Sequence, residues 1–376
     1  MLDASDVRQV RLLDRNQVPD ILPQWRELAG NSLDANVYYS PRYALALLDT
    51  VERHTDVRFV TVWKGASLVC LFPVVLHRFS VPGVRPGGAA WQSLYTFSCV
   101  PLIDRRDAKP AMRALLDGLA ELCAGDWLIP LVYLDGALFE TLTTAITERG
   151  VPWRSFGSFQ RAQLTPGATF EEHMTVAVGN KRRRNVARNR RRLEAEGTVA
   201  LETCTSGPEL ARAVEAFLRI EANGWKGRRG TALASHPDSR EFALRAFAAD
   251  EPGACRADLL TLAGNPIAAS MTVFSGDTGF TVKCAYDERY AKFGVGLLLE
   301  VETIRSFLET PWCARLDAAT LTSHVIDSLW PGRREVGILA FSFAGAAAQL
   351  RVSGLRNTHR ALARAKTAAK RVLRRG

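Results

Sequence analysis

The sequence predicts a mixed α/β protein built from two similar units in tandem. Its 376 residues exceed the usual size of one domain, so two hydrophobic cores are expected. In both halves, apolar runs of strand length alternate with amphipathic helical segments. The segments VTVWKGASLVCLFPVVL and LLTLAGNPIAASMTVF have the same pattern of strand, tight turn and strand. We therefore expect each unit to be a central mixed sheet flanked by helices.

The first unit is expected to span residues 1–165. Its clearest element is a hairpin at Lys64-Gly65, because runs rich in Val, Phe and Leu flank that pair. Helical periodicity follows at 108–123 and 137–149, with a buried strand, DWLIPLVYL, between them.

The second unit is expected to span residues 166–350. It opens with KRRRNVARNRRRLEAEG, a predicted helix in which Val186 and Leu193 share one face and Gly197 ends the helix. The elements predicted after it are helices at 208–224 and 238–249, three strands broken at Gly264-Asn265 and Gly276-Asp277, and a helix at 297–309.

The net charge of +10 is concentrated in two short segments. Lys181–Arg192 contains eight basic residues and Arg351–Arg375 contains nine, with no acidic residue in either. The rest of the chain has 32 basic and 39 acidic residues and is mildly acidic. This distribution favours local contacts with an anion over a broad nucleic-acid-binding surface, and no aromatic residues interleave the charges of the first segment.

Residues 351–376 are predicted to form a basic amphipathic helix. Apolar Leu355, Leu362 and Leu373 gather on one side of it, and arginines gather on the other. Two interpretations remain open: the helix lies on an anionic membrane surface, or it packs on the second domain with its basic face in solvent.

The cysteines and the termini indicate a cytoplasmic protein. Seven scattered cysteines include no CxxC pair, and the six histidines include no HExxH pair, so neither a disulfide framework nor a metal site is expected. The first residues lack the apolar core of a signal peptide, and the longest apolar runs fall short of the ~20 residues that span a bilayer. Peripheral attachment to the inner membrane through residues 351–376 is the alternative.

The segment FTVKCAYDERYAKFGVGLLLEVETIRSFLE is the most informative about chemistry. A buried strand leads into a loop with Gly294 and Gly296, which opens an amphipathic helix. Free N–H groups and the helix dipole at such a start favour an anion, and glycines leave room for a diphosphate. The loop is neither a Walker A motif nor GxGxxG, since Leu299 occupies the third glycine position. A diphosphate cradle and a simple tight turn both fit.

The order of strand, Gly-x-Gly, helix and strand resembles the GNAT superfamily of acyl-CoA-dependent N-acyltransferases. In particular, the chain resembles the FemAB-like branch that includes CelD-type polysaccharide-biosynthesis acyltransferases. The resemblance extends over most of residues 20–345 and implies two GNAT-like units in tandem. The segments that carry it are the Arg-rich helix before LEAEG, FLRIEANGWKGRRGTAL, YDERYAKFGVGLLLE and LDAATLTSHVIDSLWPGRR.

This resemblance implies a binding site for an acyl-CoA donor. The residues that would bind its diphosphate are Lys292, Phe293, Gly294, Val295, Gly296 and Leu297. The strand Thr281–Ala285 would bind the pantetheine arm through its backbone. The superfamily prefers Arg or Gln three residues before the first glycine, where this chain has Ala291, and Lys292 or Arg289 could compensate.

Acyl transfer needs a group that takes the proton of the acceptor amine and a hydrogen-bond donor for the developing oxyanion. The candidates for the first task are Glu221, Asp317 and His324, and those for the second are Lys283 and Tyr286. Structural roles remain open for the first three: Glu221 could only pair with Lys226 or Arg228, Asp317 could cap a strand end, and His324 could be a loop histidine.

The segment GWKGRRG is expected to bind the acceptor. Three glycines, one tryptophan and three cations suggest a mobile loop that attracts anions beside the substrate cleft, with Trp225, Lys226 and Arg228 as its binding residues. A Ser323–His324–Asp327 triad is not favoured, because neighbours in sequence rarely adopt triad geometry and no nucleophile elbow is present.

The sequence therefore predicts an acyl-CoA-dependent N-acyltransferase that needs no metal. Its acceptor would be a small-molecule or glycan amine, such as an amino sugar, an amine or an amino acid, in polysaccharide or cell-envelope biosynthesis. One alternative is a Fem-type transferase with aminoacyl-tRNA as donor, whose activity would be salt-sensitive. Another is a non-catalytic GNAT-like scaffold recruited to membranes. Both a monomer and a homodimer fit.

Overall fold

The computed structural model describes residues 7–77, 87–248, 251, 253–321, 325–357 and 359. The strands are β1 (Arg8–Leu13), β2 (Arg58–Lys64), β3 (Ser67–His77), β4 (Gly87–Ala90), β5 (Leu102–Ile103), β6 (Asp126–Tyr133), β7 (Trp153–Leu164), β8 (Val199–Cys204), β9 (Cys255–Leu262), β10 (Asn265–Ser275), β11 (Thr278–Tyr286), β12 (Arg315–Asp317) and β13 (Gly332–Ser342). The α-helices are α1 (Leu22–Gly30), α2 (Pro41–Leu48), α3 (Ala108–Leu122), α4 (Gly136–Glu148), α5 (Phe170–Ala177), α6 (Asn180–Glu194), α7 (Gly207–Asn223), α8 (Trp225–Arg228), α9 (Pro237–Phe247) and α10 (Val295–Glu309).

The chain divides into two compact units. Unit 1 comprises Met1–Pro41, Asp56–Gln160 and Arg334–Gly376, and unit 2 comprises Arg42–Thr55 and Arg161–Arg333. The division between Gln160 and Arg161 lies close to the expected boundary at residue 165, but two segments group differently from the expectation. Residues 334–350 belong to unit 1, because β13 pairs with β6. Residues 42–55 belong to unit 2, where Tyr43 packs edge-on against Phe242.

Unit 1 has a mixed sheet with the strand order β1-β2-β3-β4-β6-β13. The predicted hairpin at Gly65 is confirmed: β2 and β3 pair antiparallel, and Gly65 has a φ of +58° in the turn. β4 and β6 pair in parallel, whereas β6 and β13 pair antiparallel. α3 packs on β1, β2 and β3 and covers the sheet.

Unit 2 has a mixed sheet with the order β7-β12-β11-β10-β9-β8, to which β7 contributes only its last residues, 161–164, because residues 153–160 belong to unit 1. The predicted three strands are confirmed as β9, β10 and β11, with Gly264 (φ +77°) and Gly276 (φ +56°) in the two turns. α7 and α10 pack on β9, β10 and β11. Val186 and Leu193 of α6 are buried in the core that α10 lines, so the thin apolar stripe of the basic helix is its packing face.

Among the described residues, one edge of β11 has no strand partner near its carboxyl end, and β11 contains a bulge on its other edge. β11 pairs in parallel with β12 over Thr278–Phe280, and within the described residues this pairing ends there although β11 continues to Tyr286. Where β11 faces Met271 and Thr272 of β10, it also contains one extra residue, which is a β-bulge. Bulges of this kind redirect side chains next to functional sites.

The start of the predicted C-terminal helix packs in unit 1, not on the second domain. Residues 348–357 are helical, and Val352 packs against Phe156 and Ala340. The Arg351 guanidinium makes hydrogen bonds of 2.6–3.0 Å to both carboxylate oxygens of Asp126. The remainder of that prediction, residues 358 and 360–376, lies outside the described residues. Along the described parts of the chain, no helix is both long enough and apolar enough to cross a bilayer.

Candidate active site

A cavity of about 280 Å³ lies in unit 2 where β11 ends and α10 begins. Its walls come from the end of β11, the middle of β10 and the first two turns of α10. The lining residues are Ser270, Cys284, Ala285, Tyr286, Ala291, Gly294, Val295, Gly296, Leu297, Leu299, Glu300 and Val325. The structure thus brings Tyr286 and four of the six predicted donor-binding residues to one cavity. Among the described residues, no group of three or more His, Cys, Asp or Glu side chains is placed to hold a metal ion.

The start of α10 presents free backbone N–H groups to this cavity. Gly294 adopts the left-handed conformation (φ +63°, ψ +41°) and caps the helix without any side-chain hydrogen bond. The N–H groups of Val295 and Gly296 donate to no acceptor among the described residues. A Cβ atom at Gly296 would lie 3.1 Å from Cδ1 of Tyr286, so this position has little room for a side chain. The positive end of the helix dipole is therefore open to an anion.

The two cations expected to compensate for Ala291 differ in availability. The Arg289 guanidinium is occupied by Asp287, with hydrogen bonds of 2.6–3.1 Å. The ammonium of Lys292 lies 4.7 Å from the centre of the Phe293 ring, is 63% exposed, and has only a long contact of 3.9 Å to the exposed Glu196 carboxylate. Lys292 is thus the better placed of the two to meet an incoming phosphate.

The basic helix α6 lies beside the same loop. The Arg192 guanidinium stands 5.4 Å from the centre of the Phe293 ring. The Asn189 amide nitrogen is the nearest atom, at 3.6 Å, to a Cβ built on Gly294, and its amide oxygen is buried without a hydrogen-bond partner among the described residues. The charge of this helix therefore extends to the open start of α10.

Three of the predicted residues meet at the carboxyl end of β11. The Glu221 carboxylate, 1% exposed, accepts hydrogen bonds of 2.8 Å from Lys226 Nζ and 2.8 Å from the Leu233 N–H. Lys226 Nζ also lies 3.4 Å from the Cys284 carbonyl oxygen. Burial lowers the pKa of Lys283, and the negative charge of Glu221 partly offsets this effect. Glu221 pairs with Lys226, as one of its open interpretations expected.

The predicted acceptor-binding loop is attached to the turn that follows β11. Glu288 accepts a hydrogen bond of 2.9 Å from the Trp225 N–H and one of 2.6 Å from Arg228. Arg228 therefore pairs with Glu288 rather than with Glu221. The Trp225 residue is 44% exposed, and the Arg229 guanidinium lies 5.1 Å from its ring centre.

Asp317 has structural partners and does not line the cavity. Its carboxylate accepts a hydrogen bond of 2.8 Å from the Ala319 N–H and one of 3.3 Å from the Gln163 side-chain amide. The Arg161 guanidinium lies 3.7 Å from the same carboxylate. These contacts match the strand-end cap that was its alternative interpretation. His324 lies outside the described residues.

Glu300 is a cavity residue that the sequence reasoning missed. It is 7% exposed, and its Oε1 accepts a hydrogen bond of 2.8 Å from the Trp330 indole N–H. Burial raises the pKa of this carboxyl to about 7. A signal was present in the sequence, because Glu300 stands between Leu299 and Val301 in an otherwise apolar stretch of the predicted helix. An acid in such a position is either paired or functional.

Part of unit 2 matches a known family model. Residues 180–320 match the family model described as the acetyltransferase (GNAT) domain. No curated protein matches the chain significantly.

Solved structures share the fold at low sequence identity. FemX has a TM-score of 0.57 at 10% identity, covering 88% of this chain and 98% of FemX. The C-terminal domain of an Agrobacterium fabrum protein assigned as a lysylphosphatidylglycerol synthetase has a TM-score of 0.53 at 10% identity, covering 89% of this chain and 95% of that domain. A conserved protein of Bacteroides thetaiotaomicron has a TM-score of 0.53 at 10% identity, covering 88% of this chain and 100% of that protein. Residues 180–320 thus match a GNAT acetyltransferase domain, and the chain as a whole shares its fold with FemX and with the lysylphosphatidylglycerol synthetase domain.

Proposed function

We propose that the protein transfers an acyl group from acyl-coenzyme A to a primary amine. The start of α10 is the observation that carries this proposal. There, Val295 and Gly296 follow the cap Gly294, have free N–H groups, and line a cavity beside the open edge of β11. Free N–H groups at a helix N-terminus are well suited to phosphate oxygens.

The donor would lie along two elements of unit 2. Its diphosphate would accept hydrogen bonds from Val295 and Gly296, and the cations of Lys292 and Arg192 would add long-range attraction. Its pantetheine arm has amide groups that match the backbone of β11 beyond Phe280, where the pairing with β12 has ended.

The chemistry would take place at the carboxyl end of β11. An acceptor ammonium ion loses one proton to a base, which we assign to Glu221. The neutral nitrogen attacks the thioester carbonyl, the C–S bond breaks, and the second nitrogen proton passes to the departing thiolate. Lys283, whose pKa is lowered by burial, would donate a hydrogen bond to the developing oxyanion. Asp317 is given no step, since its contacts are those of a strand cap.

The acceptor would be an amino sugar, an amine or an amino acid of polysaccharide or envelope biosynthesis. Trp225 offers an exposed aromatic face to a sugar ring, and Lys226 joins this loop to Glu221. Attachment to an anionic membrane through residues 351–376 remains part of the proposal. It would use the cations after Arg351, because Arg351 is paired with Asp126.

A Fem-type donor, aminoacyl-tRNA, is the second candidate. It is favoured by the position of α6, which extends a row of arginines from the open start of α10, and by the shared fold with FemX. In that case the arginines would contact tRNA phosphates, and binding would weaken steeply with salt. The open cavity favours either donor over a non-catalytic scaffold.

An assay of amine-dependent thiol release from acetyl-CoA tests the proposal. The purified protein is incubated with acetyl-CoA and a mixture of glucosamine, spermidine and lysine, and the release of free thiol is followed. We expect release that depends on the amines and falls about 100-fold in Glu221→Gln, as for loss of a general base. Deacylation of charged tRNA without any thiol release would favour the second candidate, and release that ignores the amines would refute acyl transfer to an amine.

A further inference from the structure

Glu300 has an unusual position in the cavity. Every other residue that lines it is apolar or uncharged, so Glu300 carries the one carboxyl side chain among the described lining residues. A carboxylate in an apolar cavity is unfavourable unless something in the cavity compensates it.

The geometry of Glu300 leaves one oxygen available. The Trp330 indole, itself buried, holds Oε1 at 2.8 Å and fixes the orientation of the carboxyl group. No described residue donates a hydrogen bond to Oε2. A molecule that enters the cavity therefore meets an oriented acceptor with a free oxygen.

The charges around Glu300 do not compensate it. Asp258 of β9 disfavours its negative charge, and the electrostatic interaction between Glu300 and Cys284 of β11 disfavours a thiolate there. The nearby cations Lys226 and Lys283 interact with Glu221. Among the described residues, no Lys, Arg or His side chain forms an ion pair with Glu300. A ligand that carries a positive charge would supply the partner that these described residues do not.

We propose that Glu300 binds a primary ammonium group of the reactant that occupies this cavity. The inference rests on the proposed function in so far as that function places the donor here. The ammonium could belong to an aminoacyl donor or to the acceptor amine, and both sources present the same chemistry to Oε2. In the second case Glu300, rather than Glu221, receives the first proton of the acceptor.

Matched pairs of ligands test the inference. β-Alanyl-CoA and butyryl-CoA have the same shape and differ in an ammonium against a methyl group. Glucosamine and glucose, offered with coenzyme A bound, form the acceptor pair. Alaninamide and isobutyramide are added without coenzyme A, so that the preference for an ammonium is measured independently of the donor. Affinities are measured by calorimetry, and by ligand-observed NMR for the weak amides.

Three proteins are compared: the wild type, Glu300→Gln, and Glu309→Gln as a control on the exposed end of the same helix. Glutamine retains the shape and the acceptor for Trp330, and thermal melting verifies that each variant is folded. We expect the wild type and Glu309→Gln to bind alaninamide at least about 10-fold more tightly than isobutyramide. They should show the same preference for the ammonium ligand in either the CoA pair or the sugar pair. Glu300→Gln should lose that preference.

The results show whether the ammonium group belongs to the donor or to the acceptor. They also separate failure of the proposed donor from failure of the Glu300 inference. Preference for β-alanyl-CoA indicates an aminoacyl donor, and preference for glucosamine indicates the acceptor. If both thioesters bind but no pair is discriminated, the Glu300 inference is overturned while the proposed donor stands. If neither thioester binds but alaninamide is still preferred, the proposed donor fails and the inference stands. If neither thioester binds and alaninamide is not preferred, both the proposed donor and the Glu300 inference are overturned.

Discussion

The burial of Glu300 is unfavourable for the stability of the fold, and we propose that a ligand compensates it. Its carboxyl group is buried beside Leu299 with one hydrogen bond, where an apolar residue would pack without a desolvation cost. Proteins keep such unfavourable groups at sites where ligands supply the missing partner. The cost is measurable without any ligand.

Substitution of Glu300 should stabilise the protein at high pH. Folding raises the pKa of this carboxyl from 4.5 to about 7, so the folded state holds the proton more tightly than the unfolded chain. The free energy of unfolding therefore falls as the pH rises through that interval. Glu300→Gln should raise it by about 3 kcal/mol at pH 8 and change it little at about pH 4.5. Urea titrations at the two pH values measure this difference, and an equal gain at both would contradict the account.

Gly294 is needed for its backbone conformation. Its φ of +63° lies in the left-handed region, where a Cβ atom costs about 1–2 kcal/mol. Gly294→Ala should lose about this much stability and also weaken donor binding, because the N–H groups of Val295 and Gly296 would shift. Gly276→Ala, in the turn between β10 and β11 with a φ of +56°, is the matched control. It should lose similar stability and keep its donor affinity; equal loss of affinity in both would argue against a local role.

At the scale of elements, the sequence predicts those parts whose partners are close along the chain. The turns at Gly65, Gly264 and Gly276 were predictable, because each joins apolar runs that pair with each other. β13 was not, because its partner β6 lies about two hundred residues earlier and no turn between them signals the pairing. The loop with Gly294 and Gly296 was also recognisable, because the strand before it and the helix after it are consecutive in the sequence. The hydrogen bond between Trp330 and Glu300 spans 30 residues and was not.

The position of α6 resolves what its arginines do. Val186 and Leu193 account for its packing, and Arg190 is held by Glu194 and Glu302. For Arg192, which lies beside Phe293, we propose a contact with a bound anion.

Arg192→Gln should weaken donor binding about 3–10-fold at low salt, with a smaller effect at high salt, since exposed charges are screened over about 10 Å at 0.1 M. Arg184→Gln, two turns earlier on the same helix and equally exposed, should change the affinity little. Calorimetric titrations at two salt concentrations measure both. Equal losses in the two variants would indicate a general field of the helix rather than a contact near the loop.

At the scale of the molecule, the tandem α/β architecture was predictable from the repeated pattern of helices and hairpins. The assignment of residues 42–55 to unit 2 and of residues 334–350 to unit 1 was not predictable. The chain returns to unit 1 through β13 only after the site is complete, and each residue of the proposed site belongs to unit 2. The net charge of +10 is likewise local: one basic segment lies beside the donor loop, and the other begins with Arg351 paired to Asp126.

The most direct measurement is the affinity of acetyl-CoA for the wild type, for Gly296→Glu and for Gly30→Glu. An added carboxylate at Gly296 would clash with Tyr286 and repel the diphosphate, whereas a side chain at Gly30 meets open space at the end of α1. The account predicts micromolar binding to the wild type and to Gly30→Glu, and loss of binding in Gly296→Glu. Binding that survives the substitution at Gly296 would contradict the assigned donor site, and failure of the wild type to bind would contradict acyl-CoA as the donor.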